Sequence, residues 1–313
     1  MTPPPPTLRD RRLLAALQCD GRLPAEHVAS VLGIPAATVR RRWSAMAQAG
    51  VLHVVAAPAG GWGPGAAVVR VRVARGDRRA AAGRFLARPD AQQVDVGDED
   101  VTVVIGAAAP DEPPRTAGGM RSTVLHSHVS PWQWRLGVLD AEERAGLTPP
   151  PPAPGPPPDE LDDRLLQLLR WDGRASAAAL ATRTGISESA ARRRVRRLTS
   201  TGLLHTQAVV DPALVGLPLC ARFWARAAPG RLAETGRALA GHPWVTTAHV
   251  TTGTVNVQLT VRAPDIRALY GFIADDLGAL DVELVESALV RSLEPRLVRA
   301  ASRPPAPVPS PAA

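Results

Sequence analysis

The sequence predicts an α+β protein in which winged helix-turn-helix domains alternate with ferredoxin-like βαββαβ domains, each present twice. Three observations predict it. Residues 10–53 can be laid on residues 162–205 without a gap, every equivalent pair standing 152 positions apart (162 − 10, 205 − 53); so long an ungapped match marks a duplicated structural unit. Within each half the apolar pattern changes once, from helical spacing to a period of two or near-continuous apolar runs. Between the halves, "PPPPAPGPPP" at 149–158 can form neither a helix nor a central strand, and as extended polyproline it would span roughly 30 Å, enough to separate two modules.

The second half shows the elements most clearly. Leu161, Leu165, Leu168 and Leu169 recur at helical spacing until Asp172-Gly173 stops the helix. Ser176 caps a short second helix that carries Leu180 toward a core. Gly185 then supplies a turn, Ile186 an apolar plug and Ser187 the N-cap of a third helix ending at Gly202. Three helices with a short Gly-containing turn make a helix-turn-helix domain over 159–210, closed by an extended, wing-like "HTQAVVDP". Beyond it, "LPLCARFWARA" has strand character, "RLAETGRALAGH" is an amphipathic helix, "WVTTAHVTT" and "VNVQLTVRA" are strands meeting at Gly253, "DIRALYGFIADDL" is a helix and "VELVESALVRSL" a closing strand. That order predicts a βαββαβ domain over 214–300, whose sheet leaves one face without helices and therefore needs a partner.

The first half repeats the plan in worn form. A helix-turn-helix domain is expected over 8–57 and a degenerate βαββαβ domain over 66–147, with strand 68–74, helix 78–88, strands 94–97 and 101–105, and strand 123–129. "APDEPPRTAGG" at 109–119 stands where the second helix should lie, and its prolines and glycines argue against one. Residues 148–158 are the linker, 301–313 a tail expected to be disordered, and "GGWGPG" at 60–65 a hinge.

All 37 basic residues are arginine, giving a formal charge of +8, and a basic balance points first to nucleic acid. Cys19 and Cys220 sit in unrelated segments and imply neither a disulfide framework nor a metal cluster; Cys19 takes the repeat position of Trp171, which predicts a buried apolar site. The N-terminus has no apolar signal core and no stretch approaches a membrane span, so a cytoplasmic protein without membrane contact is expected.

The chemistry concentrates on the third helix of each helix-turn-helix. In "SESAARRRVRRLTS", Ala191, Val195 and Leu198 form the inward stripe, and five arginines lie between 192 and 197. Residues at the start of a recognition helix reach base edges, which nominates Ser187, Glu188, Ser189, Arg192 and Arg193 as readers. Arg196 and Arg197 are expected on phosphates, with Arg194 folding back to support the motif. In the first half, Thr38, Arg40 and Arg41 occupy the corresponding helix, but Pro35, Ala36 and Ala37 replace the polar residues that could read bases. The first reader is therefore expected to supply affinity and the second most of the sequence preference. His126 and His128 lack a third metal ligand at a convincing spacing, Trp132 and Trp134 are expected to pack, and no nucleophile elbow or phosphate loop occurs. No enzyme activity, metal or cofactor is predicted.

"LDDRLLQLLRWDGRASAAALATRTGISESAARRRVRRLTSTGLLH" followed by a βαββαβ segment resembles the Lrp/AsnC family of prokaryotic transcription regulators, over 160–300 closely and 8–130 loosely. The resemblance implies double-stranded DNA as partner, an amino acid or related small metabolite as effector, and self-association through the sheets, here as an internal pseudo-dimer and in higher oligomers. By position, Thr252, Gly253, Thr254 and Asn256 would hold the effector, although Thr254, Val255 and Asn256 replace the acidic residue the family often shows there. The alternative is an architectural DNA-binding protein without an effector.

Overall fold

The computed structural model describes residues 5–57, 64–74, 76–88, 91–106 and 119–295. In chain order the first half holds α1 (Leu8–Cys19), α2 (Ala25–Leu32), α3 (Ala36–Gln48), β1 (His53–Ala57), β2 (Ala67–Arg72), α4 (Arg78–Leu86), β3 (Ala91–Gly97), β4 (Asp100–Ile105), β5 (Met120–Val129) and α5 (Ala141–Leu147). The second half holds α6 (Glu160–Leu169), α7 (Ala177–Thr184), α8 (Glu188–Ser200), β6 (His205–Val209), β7 (Leu219–Arg226), α9 (Leu232–Gly241), β8 (Val245–Thr251), β9 (Val257–Ala263), α10 (Ile266–Gly271) and β10 (Glu283–Pro295). The described residues fold into two compact units: 5–57 with 136–211, and those between 64 and 135 with 212–295.

The first unit is helical because its polar residues stand where helices begin. Ser176 and Ser187 accept from the N–H groups of Ala179 and Ala190 at 3.1 and 3.2 Å, capping α7 and α8 as the sequence predicts. Thr7/Asp10 and Asp159/Asp162 form capping boxes on α1 and α6. Gly185 ends α7 at φ 73°, a conformation that glycine adopts without steric cost. Leu165, Leu169, Leu180, Ala191, Val195 and Leu198 bury the stripes of α6, α7 and α8 in one core. The unit's two strands, β1 and β6, pair antiparallel, with Val55 opposite Gln207 at the centre.

Two details differ from expectation. A capping box from Asp140 to Glu143 starts α5, a helix the apolar pattern gave no reason to place; it packs through buried Leu147, an Arg12–Glu143 ion pair and a 2.8 Å bond between His27 and the Gly146 carbonyl. Trp171 is 39% exposed although Cys19, at the equivalent position, is buried, so only one of the two copies uses that site as core.

In the second unit the strands form one closed eight-stranded barrel, in the order β10-β3-β4-β2-β5-β8-β9-β7. The sequence predicts two separate sheets; closure comes from β5, which pairs with both β2 and β8, and β10, which pairs with both β7 and β3. The segment 107–118, expected to lack a helix, and most of the hinge at 60–65 lie outside the described residues. Ala221, Phe223 and Ala225 pack with Leu239 of α9 and Leu269 of α10, and Val69, Val101 and Val103 pack with Ala81 and Phe85 of α4. An eight-stranded barrel has no room inside for a helix, so these faces are its outside and the alternate residues point inward.

The inward residues are unusually polar for a core. Arg222 forms an ion pair with Asp95, the two side chains 5% and 2% exposed, while Gln93 donates to the other Asp95 oxygen at 2.7 Å. Arg70 grips both oxygens of Glu286 at 2.6 Å, bonds Asp100 and stacks 4.0 Å from the Trp224 ring centre. His249 is fully buried beside them, and burial, then Arg222 and His128, push its pKa down to about 3. The unfolded chain takes up that proton below its ordinary 6.5, whereas the folded chain refuses it until about 3. Stability is therefore full above pH 6.5 and is lost as pH falls, by about 3 kcal/mol on going from pH 7 to 4. Denaturant midpoints measured across that range should fall in the wild type and fall clearly less in His249→Gln; equal slopes would exclude this residue as the cause.

Candidate nucleic-acid interface and effector cleft

The inward stripe of α8 fixes which arginines face out. With Ala191, Val195 and Leu198 buried, Arg192, Arg193 and Arg196 are exposed and Arg194 and Arg197 fall on the flank toward α6. Arg194 donates to Asp159 and Asp162 at 2.7 and 2.9 Å, folding back as the sequence suggests. Arg197 also pairs with Asp162, which has no exposed surface. Burial works against that carboxylate's charge, but the Asp159 N–H and the two guanidiniums overcome it and hold its pKa down at about 2. Arg197 thus fastens α8 to α6, where the sequence predicts a phosphate ligand.

At the start of α8, Ser187 is spent on the cap and lies 3.1 Å from the Ser189 hydroxyl, while Glu188 pairs with Arg192 one turn on. In the first half, Arg40 and Arg41 are exposed, Thr38 is half-buried, and Arg42 lies 3.7 Å from Asp10 in the manner of Arg194. Arg40 pairs with Glu26 of α2. Arg41, Arg193 and Arg196 make no ion pair among the described residues, so their guanidiniums are available to an outside anion.

The Pro-rich segment does not stand free. The Ala153 N–H donates to the Ser200 carbonyl at 2.9 Å, and Pro152 lies where a Cβ on Gly202 would come within 2.7 Å. Pro149 to Pro151 thereby form one wall of a cavity of about 720 Å³, opposite Leu180, Arg192, Val195 and Arg196. The strap flanks the outward face of α8 without covering Arg193.

In the second unit the loop after β8 borders an open cleft of about 680 Å³. Gly253, at φ 108°, Thr254 and Asn256 line it together with Arg226, Asp281 and Glu283. Thr252 turns away and accepts from the Thr123 N–H at 2.9 Å. Asn256 spends both side-chain atoms on the Ala227 backbone, at 2.9 Å each, and Arg226 donates to the Thr254 carbonyl at 3.1 Å and to Glu283 at 2.8 Å. The cleft's own charges, Arg226, Asp281 and Glu283, were not among the residues the sequence singled out.

The remaining nominees serve structure. Trp134 is buried and donates to the Pro243 carbonyl at 2.9 Å. His126 and His128 stack edge to face at 4.4 Å, and no group of three metal-type ligands assembles among the described residues. Cys220 is buried, which pushes its thiol up to about 11. No helix among the described residues is long and apolar enough to cross a membrane.

Comparison with known proteins matches residues 9–47 to the AsnC-type helix-turn-helix domain, 158–204 to the winged helix-turn-helix DNA-binding family and 221–293 to the Lrp/AsnC ligand binding domain. The HTH-type transcriptional regulator AldR of Mycobacterium tuberculosis is 32% identical over 137 residues, 42% of this chain and 76% of that protein. The chain belongs to the Lrp/AsnC family of transcriptional regulators. A second relative, the uncharacterized HTH-type transcriptional regulator PH0140 of Pyrococcus horikoshii, is 28% identical over 138 residues, 44% of this chain and 87% of that protein. The crystal structure of the siroheme decarboxylase NirDL matches at TM-score 0.56 over 94% of this chain and 97% of its own, but at 14% identity the likeness shows the fold alone. Membership of the Lrp/AsnC family makes DNA binding through the helix-turn-helix segments, and transcription regulation, properties of this chain.

Proposed function

We propose that this chain is a tandem duplication of an Lrp/AsnC regulator, in which two unequal readers recognise a two-part DNA site and an amino acid or related small metabolite tunes the response. The observation that carries the DNA reading is the set of unpaired, exposed arginines, Arg193 and Arg196 on α8 and Arg41 on α3, on helices where Arg42, Arg194 and Arg197 are spent within the fold. Ser187, Glu188, Ser189, Arg192 and Arg193 read bases; Arg196 contacts phosphate; Thr38, Arg40 and Arg41 add affinity. The two half-sites need not be palindromic, because the readers differ. The barrel, built from strands of both halves, serves as the internal counterpart of a dimer.

For the effector, the match of 221–293 to a ligand binding domain and the charges at the cleft support a zwitterion: Arg226 for a carboxylate, Asp281 or Glu283 for an ammonium. The architectural reading keeps one specific support, since Asn256 and Arg226 already have partners in the cleft. Thermal unfolding in the presence of each amino acid separates the two. A ligand at a hundred times its Kd adds about 2.7 kcal/mol of stability, a rise of several degrees in Tm. That rise should appear with one or a few amino acids and vanish in Arg226→Ala; a flat response across the set favours the architectural reading.

A further inference from the structure

Arg22 and Arg174 stand 152 positions apart (174 − 22), the interval of the sequence repeat, one after α1 and the other after α6. Each reaches the turn that holds the other. Arg22 donates to the carbonyls of Gly173 and Ala175 at 2.7 and 3.3 Å; Arg174 donates to those of Gly21 and Leu23 at 2.8 and 3.5 Å. The turns are themselves tied to the central strand pair: the Gly21 N–H donates to Thr206 at 2.7 Å and the Gly173 N–H to Val54 at 2.8 Å. Both glycines are required by this approach, because a Cβ would meet Val54 Cγ1 at 2.4 Å from Gly21 and the Val55 backbone at 2.9 Å from Gly173.

The exchange also touches both recognition helices. Arg174 lies 4.9 Å over the ring of Trp43, a core residue of α3, and Arg22 borders the cavity that Arg192 and Arg196 share on α8. Asp20 and Asp172 hold the turns by accepting from the N–H groups of Arg22 and Arg174 at 2.9 Å, and Asp20 takes the Thr206 hydroxyl at 3.1 Å. Burial lowers the pKa of both guanidiniums. The two guanidiniums, half-buried in Arg22 and exposed in Arg174, are aimed past each other at backbone carbonyls, each spending its donors on the turn of the other copy.

We infer that Arg22 and Arg174 are positioning residues that lock α3 against α8 and thereby set the single half-site spacing the protein accepts. The inference rests on the two-reader proposal. A rigid pair of readers gains avidity only where both half-sites can be engaged together, a factor of about 10² or more that is lost when the geometry forbids it. A loosened pair spreads a smaller gain over many spacings.

The test uses the full chain and duplexes carrying both half-sites, obtained by selection from random DNA, with the separation varied one base pair at a time over about one helical turn. The wild type should show one optimum, falling about 10²-fold within a few base pairs. Arg22→Ala with Arg174→Ala should flatten that profile to a few-fold while leaving affinity for an isolated half-site and its base preferences unchanged. Arg22→Lys with Arg174→Lys, which keeps the charges but gives up the two-carbonyl grip, should flatten it partly and serves if the alanine pair fails to fold. An unchanged optimum and steepness in a folded variant overturns the inference, as does a wild type indifferent to spacing. Failure to select any preferred half-site would instead remove the two-reader proposal beneath it.

Discussion

Arg192→Ala combined with Arg193→Ala is expected to weaken binding at the preferred DNA sequence by about 10²-fold or more, each well-placed arginine–guanine pair being worth about 1–3 kcal/mol. The same pair of changes should leave binding to unrelated DNA far less affected. Arg40→Ala with Arg41→Ala, the counterpart on α3, should weaken binding to preferred and unrelated sequences alike and lower the salt slope by about one for each phosphate no longer neutralised. The difference follows from the helix starts. Ser187, Glu188 and Ser189 accompany the arginines of α8, whereas Pro35, Ala36 and Ala37 precede those of α3. Competitive titration against matched and scrambled duplexes measures it, and an equal loss of preference in both variants would show that the readers contribute equally.

The largest expected effect on stability lies in the barrel. Asp95→Ala leaves the Arg222 guanidinium buried without its counter-charge and deprives Gln93 of its acceptor, a loss of about 3–5 kcal/mol. Because most of that penalty is the orphaned charge, adding Arg222→Met should recover a large part of it. Chemical denaturation of the single and double variants reads both effects. A single variant within about 1 kcal/mol of wild type would mean that solvent reaches Arg222 and that the pair is not the closed contact described.

What could be read in the sequence was what is local. Ser176, Ser187 and Gly185 mark helix ends by chemistry acting within three or four residues, and α7 and α8 begin and end accordingly. The capping box at Asp140 and Glu143 is equally local and marks the start of α5 by polar spacing, where apolar periodicity gives no signal. Barrel closure was not legible, because it depends on β5 and β10 each choosing partners in both halves of the chain. The arginine run had a similar limit: Arg193 and Arg197 look alike until α6 brings Asp162 against one of them. "DGR" read as a helix stop, which it is, but its glycine and arginine serve contacts with the equivalent turn 152 positions away. Gly253, Thr254 and Asn256, named by position in the sequence, line the cleft, while Arg226, Asp281 and Glu283 reach it only through folding.

Two unlike readers acting on one DNA site are the central claim. The most direct measurement is capture of fragmented genomic DNA from the source organism by the purified full-length protein, followed by sequencing of what is retained. A small set of intergenic fragments sharing a two-part motif with unlike halves is the predicted result. Retention without sequence preference would contradict it and leave an architectural DNA binder.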